Sequence, residues 1–250
     1  MNSFRPYLAP LLFGAGALAL WQAVSMRYSS EQFPAPLQVA QAIRELASGG
    51  QLAEHVAVSL FRFAAAYTLA AVAAVPLGLW LGRHAWALAA SNPLIQLVRP
   101  ISPIAWFPLA VLWFGIGNAP AIFIIFLSAF FPMLLATIRG VRSVPPVYFR
   151  VAANFGASQG MVFLRVVLPS AFPSIATGLR IAIGTAWIHL VAGEMLGAQS
   201  GLGFLIVDAR NFLRTDLILA GMLLVGILGL IIDGTVEWLE SRVLRRWGMA

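Results

Sequence analysis

The sequence predicts an all-α membrane protein with six transmembrane helices. Of its 250 residues, 60% are hydrophobic and only 10% are charged, whereas soluble domains are about half apolar and a quarter charged. Six mostly apolar runs of about 20 residues have the length that a helix needs to cross a hydrocarbon core of ~30 Å. We therefore expect a single transmembrane domain over residues 1–250.

We place the six spans at residues 7–26, 56–81, 93–114, 120–138, 171–196 and 217–239. Arg62 and Pro76 interrupt the second span, and the third carries Pro100, Pro103 and Pro108. Prolines are tolerated in a spanning helix where protein or water satisfies the freed carbonyl groups. The third span is therefore predicted to be the least regular, and it is a candidate for lining a path through the membrane.

The first apolar run also has features of a cleaved signal peptide. Arg5 precedes the apolar core, and Ala23, Val24 and Ser25 form a weak small-residue cleavage site. The run is long for a signal, however, and its removal would leave five spans. We therefore expect it to remain as a membrane helix.

The arginines predict the orientation in the membrane, because cytoplasmic loops carry the excess of basic residues. All 16 basic residues are arginines. With the N-terminus inside, ten of them fall on the cytoplasmic side and four on the external side. Both termini and a long loop at residues 139–170 are therefore predicted to be cytoplasmic.

The residue types that the chain lacks exclude several activities. Without cysteine there is no disulfide, thiolate metal site or cysteine nucleophile. Without lysine there is no Walker A loop, so the chain is not itself an ATPase of that class. No metalloprotease or serine-hydrolase motif occurs, and His55, His84 and His189 lie in different regions. We predict no enzyme activity, metal or cofactor in this chain, and no nucleic-acid partner, since arginines at membrane boundaries explain the high pI.

Two external segments have apolar residues at helical spacing. Residues 36–46 place Val39, Ile43 and Leu46 on one face, which predicts a short amphipathic helix on the outer surface. Residues 202–213 mix apolar and charged side chains. This second segment is predicted to be either another surface helix or a partly re-entrant piece.

The cytoplasmic loop is predicted to hold two short helices. Residues 147–155 are compatible with a helix, and Gly156 is a break, because glycine adopts the positive φ that ends a helix. Ser158 can cap a second helix over residues 159–167. We expect Pro169 to end that helix, because proline disfavours the α conformation at the preceding residue.

This loop resembles the "EAA" loop of ABC importer permeases. That pattern runs Glu-Ala-Ala, three residues, Gly, nine residues, Ile, one residue, Leu-Pro. The chain keeps the spacing from Gly156 to Pro169, with Val166 in place of Ile, but Arg150 stands where the family often has Glu and Val151 where it has the first Ala. In the family the loop forms coupling helices that sit in a cleft of the ATPase subunit. The resemblance implies ATPase-coupling residues at Arg150, Val151, Ala152, Gly156, Ala157, Ser158, Val166, Leu168 and Pro169.

Further stretches are similar to the nitrate, sulfonate, taurine and bicarbonate branch of these permeases. They are residues 33–36, 113–117, 177–182, 194–197 and 200–203, in the family's order. The resemblance implies a type I ABC importer permease fold, working as a homodimer with two copies of a cytoplasmic ABC ATPase and an external substrate-binding protein, periplasmic or lipid-anchored. The partner ATPase would bind ATP and Mg, and the chain would be a multi-pass protein of the bacterial inner membrane.

Polar residues inside the spans are candidates for a translocation pathway, because charged and polar groups in a membrane are costly and mark functional sites. The candidates are Ser102, Trp106, Ser128, Arg180 and His189. Each has a structural alternative. It is interhelical packing for the serines, the tryptophan and the histidine, and for Arg180 it is either a carboxylate partner or a side chain that snorkels inward.

Three acidic residues of the spans are assigned other roles. Glu194 is ~21 Å from Arg180 along the helix axis, so the two do not pair. A carboxylate would repel an anion, so we expect Glu194 to have a structural or gating role. Asp233 and Glu237, four residues apart at the inner end of the sixth span, are expected to pair with the arginines that follow them.

The sequence thus favours the permease subunit of an ATP-driven importer for a small oxyanion of the sulfonate, taurine, nitrate or bicarbonate class. The binding protein is expected to dock outside, near the segment after Met26 and at residues 201–215. A stand-alone secondary transporter is the alternative, but no repeat or midplane carboxylate supports it. A membrane scaffold without transport activity would not need the proline-rich third span.

Overall fold

The computed structural model describes the backbone of residues 5–246 and the side chains of residues 11–238 and 240–242. This part of the chain is helical, which confirms the all-α prediction. The α-helices are α1 (Arg5–Ser25), α2 (Pro36–Ser48), α3 (Gln51–Arg83), α4 (Ala85–Val98), α5 (Phe107–Phe114), α6 (Asn118–Arg142), α7 (Pro146–Asn154), α8 (Gln159–Val162), α9 (Leu168–Gly197), α10 (Leu202–Asn211) and α11 (Thr215–Arg246). A 3₁₀ turn (Pro103–Trp106) precedes α5, and a π-helical turn (Phe163–Val167) joins α8 to α9.

Helices α3, α6 and α9 pack closely and form the core. Ala66, Ala70 and Ala74 follow one another at intervals of four along α3 and are fully buried. One turn further on, a Cβ on Gly78 would lie 2.7 Å from the Cβ of Thr137 on α6. Small residues at such crossings let helix backbones approach each other, which is how helices associate inside a membrane.

In the described part of the chain, four helical segments are long and apolar enough to cross a membrane. They are α3, α6, the segment Gln159–Gly197 and the stretch Thr215–Arg242 of α11. The helices α4 and α5 make a fifth span if they are counted together, and the described part of the first predicted span, Leu11–Ser25, is a shorter apolar helix. Every predicted span is thus helical, and the count of six, with both termini inside, stays a prediction.

The third predicted span is not one continuous helix, which corrects the placement at residues 93–114. Helix α4 begins at Ala85, and the pair is bent by 84° at a break that precedes Pro103. Pro100 and Pro103 explain the break, because each lacks a backbone N–H and restricts the residue before it.

The helix break and the helix cap predicted in the loop at residues 139–170 are confirmed. Gly156 has a φ of +67°, and the Oγ of Ser158 accepts a hydrogen bond of 3.3 Å from the N–H of Met161. The prediction that Pro169 ends the second helix is wrong, because the helix runs on through the π-helical turn into α9. The wider turn lies where the proline ring would otherwise meet the carbonyl four residues back.

The two external segments are also helical. On α2, Val39 and Leu46 of the predicted apolar face are buried and Ile43 is partly buried, and Ala42, which the prediction did not include, is buried with them. On α10 the apolar face is buried against α9 and α11, with Leu202 fully buried and Leu205 6% exposed. Helix α10 is therefore inserted between the spans rather than lying on the surface.

Candidate functional site

Two polar centres lie between the core helices in the described part of the chain. The first is a cavity of about 330 Å³ between the bend that follows α4, helix α6 and helix α9. We call it the basic cavity. It is lined by Trp106, Ser128 and His189, so three of the five candidate pathway residues meet there. Arg99 and Arg139 line it as well.

The basic cavity is elongated along the spans. Leu127 and Arg139 both line it, and twelve residues of helix correspond to about 18 Å along the axis. Helix α9 contributes Ile181, Thr185 and His189, which are four residues apart and share one face. The cavity therefore follows α6 and α9 over more than half of a hydrocarbon core of ~30 Å.

The hydrogen bonds decide which groups of the cavity can bind a solute. The Oγ of Ser128 donates to the carbonyl of Ile125 over 2.7 Å. The Oγ1 of Thr185 lies 3.1–3.4 Å from three backbone carbonyls. These hydroxyl protons are therefore in use. The Nδ1 of His189 lies 2.8 Å from the carbonyl of Thr185 and must donate to it, which leaves Nε2 free.

The charge of the cavity is positive. Among the described residues that line it, none is acidic, and neither Arg99 nor Arg139 makes a salt bridge with a described carboxylate. Guanidinium groups present planar forks of N–H donors that match the oxygens of carboxylates and phosphates. A concave site with charges of one sign concentrates counter-ions, so the cavity favours small oxyanions.

Two candidate pathway residues do not line the basic cavity. Ser102 is absent from its wall although Ile101 and Pro103 contribute to it. Arg180 lies on the face of α9 next to α11, where its Nη2 donates to Glu237 over 2.9 Å. Arg180 thus has the carboxylate partner that was the structural alternative.

The expected pairing of Asp233 and Glu237 with the arginines after them is corrected by the same contacts. Both carboxylates face Arg180, at 3.9 Å and 2.9 Å. The guanidinium of Arg242 stacks instead 3.8 Å above the ring of Trp238. The side chains of Arg245 and Arg246 lie outside the described residues.

Sequence reasoning missed the cationic residues of the cavity, because it used Arg99 and Arg139 only to orient the chain. Arg99 directly precedes Pro100 in the broken third span, which was itself a candidate for lining a path. An arginine in that segment was the available signal.

The second polar centre is a buried ion pair between Arg62 on α3 and Glu194 on α9. The Nη1 of Arg62 is 2.7 Å from the Oε1 of Glu194, and the two side chains are 2% and 0% exposed. The glutamate is also the acceptor for the Oγ of Ser59 at 2.8 Å and for the backbone N–H of Gly203 at 2.9 Å. Glu194 therefore fixes the start of α10, where the positive end of the helix dipole also favours a negative charge.

The guanidinium of Arg62 connects further elements. It donates to the Oδ1 of Asn118, at the start of α6, over 2.9 Å and 2.7 Å. It also donates over 2.6 Å to the carbonyl of Ser200, in the turn between α9 and α10. We call Arg62, Glu194 and these partners the external charge network, after the side of the membrane on which the predicted orientation puts it. In the described part of the chain, no buried side-chain nitrogen or oxygen lacks a partner.

Glycine is required beside this network. Gly201 has a φ of +107°, and a Cβ there would overlap the carboxylate of Glu194. A Cβ on Gly203 would overlap the carbonyl of Val191. The Ser-Gly-Leu-Gly stretch that was noted in the sequence thus makes room for the buried carboxylate.

The residues that the resemblance assigns to ATPase coupling fall into two groups by exposure. Arg150, Val151, Gly156 and Ser158 are exposed, whereas Ala152, Ala157, Val166, Leu168 and Pro169 are partly buried at the junction with α9. On α7 and the turn after it, apolar side chains face outward, with Val151 47% and Phe155 86% exposed. The loop thus has an internal packing side and an open apolar side. Among the described side chains, no group of His, Cys, Asp or Glu residues is arranged to hold a metal ion.

Comparisons with known proteins show the family of the chain. A family model described as "binding-protein-dependent transport system inner membrane component" matches residues 74–245. The taurine transport system permease protein of Escherichia coli K12 is 36% identical over 229 residues, which cover 89% of this chain and 83% of that protein. A putative aliphatic sulfonates transport permease protein of the same organism is 34% identical over 245 residues (97% and 93%). The nitrate import permease protein of Leptolyngbya laminosa is 38% identical over 189 residues (76% and 68%).

Among solved structures, an inward-facing methionine ABC transporter is similar to this chain. Its chain superposes with a TM-score of 0.59 at 18% identity, over 76% of the present chain and 93% of its own. At this identity the likeness concerns the fold alone.

Proposed function

This chain belongs to the family of binding-protein-dependent transport system inner membrane components, and we propose that the solute it moves is a small oxyanion. It is a permease subunit of an ABC importer in the inner membrane, with the type I importer permease fold. Its family is one of non-catalytic membrane subunits. The relatives for taurine, sulfonates and nitrate have solutes in common that are small and carry an oxyanion group.

The basic cavity is the observation that carries the substrate class. Two guanidinium groups without described acidic neighbours offer donors to a sulfonate, nitrate or bicarbonate group. The Nε2 of His189, which is the acceptor nitrogen of the neutral ring, can take a hydrogen bond from a solute group that carries a proton. Arg99 and Arg139 attract the anion, Trp106 forms an apolar wall, and His189 lies further along the path. A cation would be repelled by the two guanidinium groups, and an uncharged solute would leave their charges without a counter-charge.

The cytoplasmic loop is proposed to bind a separate ABC ATPase, which holds ATP and Mg. The exposed apolar side chains of α7 and the following turn, Val151 and Phe155 among them, form the docking side. The junction at Leu168 and Pro169 makes the docking segment continuous with α9. Arg83 strengthens this junction, because its Nη2 donates to the Oε1 of Gln159 and joins α3 to α8. Two copies of the chain, two ATPases and one external binding protein complete the proposed assembly.

Uptake by the reconstituted complex tests the substrate class. The chain, its ATPase and its binding protein are placed in liposomes, and ATP-dependent uptake of labelled taurine, an alkanesulfonate, nitrate and bicarbonate is compared with that of an uncharged amide. We expect uptake of at least one oxyanion and none of the amide. Uptake without ATP, or of the amide alone, would contradict the proposal.

A matched pair of variants tests the cavity. Arg139→Gln is expected to lower oxyanion uptake at least tenfold, because it removes a cavity guanidinium. Arg142→Gln, one turn further on α6 and outside the cavity wall, is expected to stay within about twofold of the wild type. Equal losses in the two variants would show that the position of the charge in the cavity is irrelevant.

A second pair tests the docking side. Phe155→Glu places a charge on the exposed apolar side of the loop, and the ATPase should no longer co-purify with the chain in detergent. Phe212→Glu changes a side chain of similar exposure, 72% against 86%, at the end of α10. Co-purification should survive that change, and its loss in both variants would argue against a local docking surface.

A further inference from the structure

The external charge network connects every core span to the start of α10. Glu194 lies on α9 and Arg62 on α3, and Arg62 reaches Asn118 at the start of α6. From the same cluster, the Oγ of Ser59 accepts the backbone N–H of Leu202 at 2.9 Å. One turn before Ser59 on α3, the Nδ1 of His55 accepts the N–H of Gly201 at 3.0 Å. Three successive N–H groups at the start of α10 are thus bound by side chains of the spans.

The other end of α10 is bound to the external surface elements. After its last turn, Arg214 lies 2.9 Å from Glu45 on α2, and the Oγ1 of Thr215 donates to the carbonyl of Glu31 over 2.6 Å. Hydrogen bonds to Asp216 and Glu45 raise the pKa of the Arg214 guanidinium above its ordinary value. Helix α10 therefore joins the external surface to the outer ends of α3, α6 and α9.

The external end of α10 also exposes apolar side chains. Phe212 and Leu213 are 72% and 83% exposed, and Leu213 is held at a φ of +56°. Leucine adopts this left-handed conformation only at a cost, so the surrounding contacts define the turn. A rigid helix with an exposed apolar end is suited to bind another protein and to transmit a displacement at that end along its axis.

Stability alone does not explain the network. Replacing a buried ion pair by apolar residues is often neutral or stabilising, because desolvation offsets the attraction between the charges. What charged, fully hydrogen-bonded groups add is a single allowed arrangement of the elements they join. Here those elements are the ends of the three core helices and the start of α10.

We propose that Arg62 and Glu194 are positioning residues for transport, and that they hold α10 as a rigid external lever that passes binding-protein docking to α3, α6 and α9. The network is the external counterpart of the cytoplasmic coupling loop. This inference rests on the proposed function, since it requires a binding protein outside and an ATPase inside. A force or rotation applied at Phe212 and Leu213 reaches the spans through the buried pair.

The test compares ATP hydrolysis with and without the binding protein. The complete complex is reconstituted in liposomes, and hydrolysis is measured alone and after addition of the binding protein loaded with the anion found in the uptake test. Glu194→Gln keeps the size of the side chain and removes its charge. Gly201→Ala displaces the carboxylate without removing any polar group. We expect both variants to lose the stimulation by the binding protein at least fivefold, while unstimulated hydrolysis stays within about twofold.

A milder variant protects the test against failure to fold. Asn118→Ala leaves the Arg62–Glu194 contact in place and disconnects only α6, so its stimulation should fall between that of Glu194→Gln and the wild type. Arg242→Met, which removes an exposed arginine at the far end of α11, is the control and should keep full stimulation. A loss of stimulated and unstimulated hydrolysis in equal proportion would mean that the network only stabilises the fold, and would overturn the proposal.

A distance measurement gives a second readout, because the chain has no cysteine and each of its copies then carries only the two introduced ones. Spin labels at Phe212→Cys on the external turn and Ile188→Cys on α9 report whether α10 moves with the span. The distance should be the same in nucleotide-free and nucleotide-trapped complexes, and it should differ between those states in Glu194→Gln. A change of this distance in the wild type would overturn the inference.

The two levels of proposal fail in different ways. If the wild-type complex shows no stimulation by any loaded binding protein, both the proposed function and the lever are contradicted. If the wild type is stimulated and the Glu194→Gln and Gly201→Ala variants are stimulated equally, the lever alone is contradicted.

Discussion

Arg62 in the second predicted span and Arg180 in the fifth are each bound to a glutamate of another helix. Arg62 is 2.7 Å from Glu194, and Arg180 is 2.9 Å from Glu237. The side chains of the first pair are 2% and 0% exposed, whereas those of the second are 40% and 60% exposed. The contacts have similar lengths, so burial is the variable that separates them.

The difference in burial determines what each pair can do. In the buried pair every polar atom has a partner in the protein, and a lost partner cannot be replaced by water. The exposed pair faces a surplus of carboxylates, since Asp233 and Glu240 also lie 3.9 Å from Arg180. Arg180 can therefore exchange partners, while Arg62 has a single arrangement. The groups around a charged residue in a span therefore determine whether it has one possible partner or several.

The largest effect is expected from Glu194→Ala. This change leaves the guanidinium of Arg62 buried without its carboxylate, and removing one partner of a buried pair costs about 3–5 kcal/mol. Thermal unfolding of the purified chain in detergent measures the loss. A cost below about 1 kcal/mol would show that water enters the network and that the two pairs do not differ in kind.

An intermediate effect is expected from Gly203→Ala, which overpacks the same region. Its Cβ would overlap the carbonyl of Val191, and such overpacking costs about 1–3 kcal/mol. Gly184→Ala is the matched control, since a Cβ there meets no atom within 4 Å and helix propensity favours alanine. Unfolding temperatures should fall for the first variant and stay equal or rise for the second. The reverse order would contradict the close approach of α10 to α9.

The smallest effect is expected from Glu237→Gln in the exposed pair. Exposed ion pairs contribute about 0–1 kcal/mol and are screened by salt, and Asp233 and Glu240 remain near Arg180. The unfolding temperature should change little at low salt and not at all at high salt. A loss as large as that of Glu194→Ala would mean that the exposed pair is covered in the assembled complex.

The sequence predicted the local features of the loop because local chemistry determines them. Gly156 ends a helix through its own φ, and Ser158 caps the next helix within one turn. The end predicted at Pro169 was wrong because Leu168 keeps the α conformation although a proline follows it, and the helix continues from the π-helical turn into α9. Such a turn has no sequence signature comparable to a cap.

The polar centres depend on contacts between distant parts of the chain. Arg62 and Glu194 are separated by 132 residues, and the sequence showed each only as a charge in a span. Glu194 was expected to have a structural or gating role, but its partner was not identified. In the basic cavity, Trp106, Ser128 and His189 were selected for their polarity, whereas Arg99 and Arg139 were attributed to membrane orientation. Residue type indicated candidates, and only the packing of α6 and α9 brought them together.

The π-helical turn at Phe163–Val167 has a consequence for how the pathway is aimed. It holds one residue more than an ordinary helical turn, and each residue of an α-helix rotates the side-chain direction by about 100°. The direction in which Ile181, Thr185 and His189 point from α9 therefore depends on this turn, which precedes α9 in the chain. Deleting or inserting one residue there is equivalent to turning the whole span about its axis, and it would line the passage with a different row of side chains.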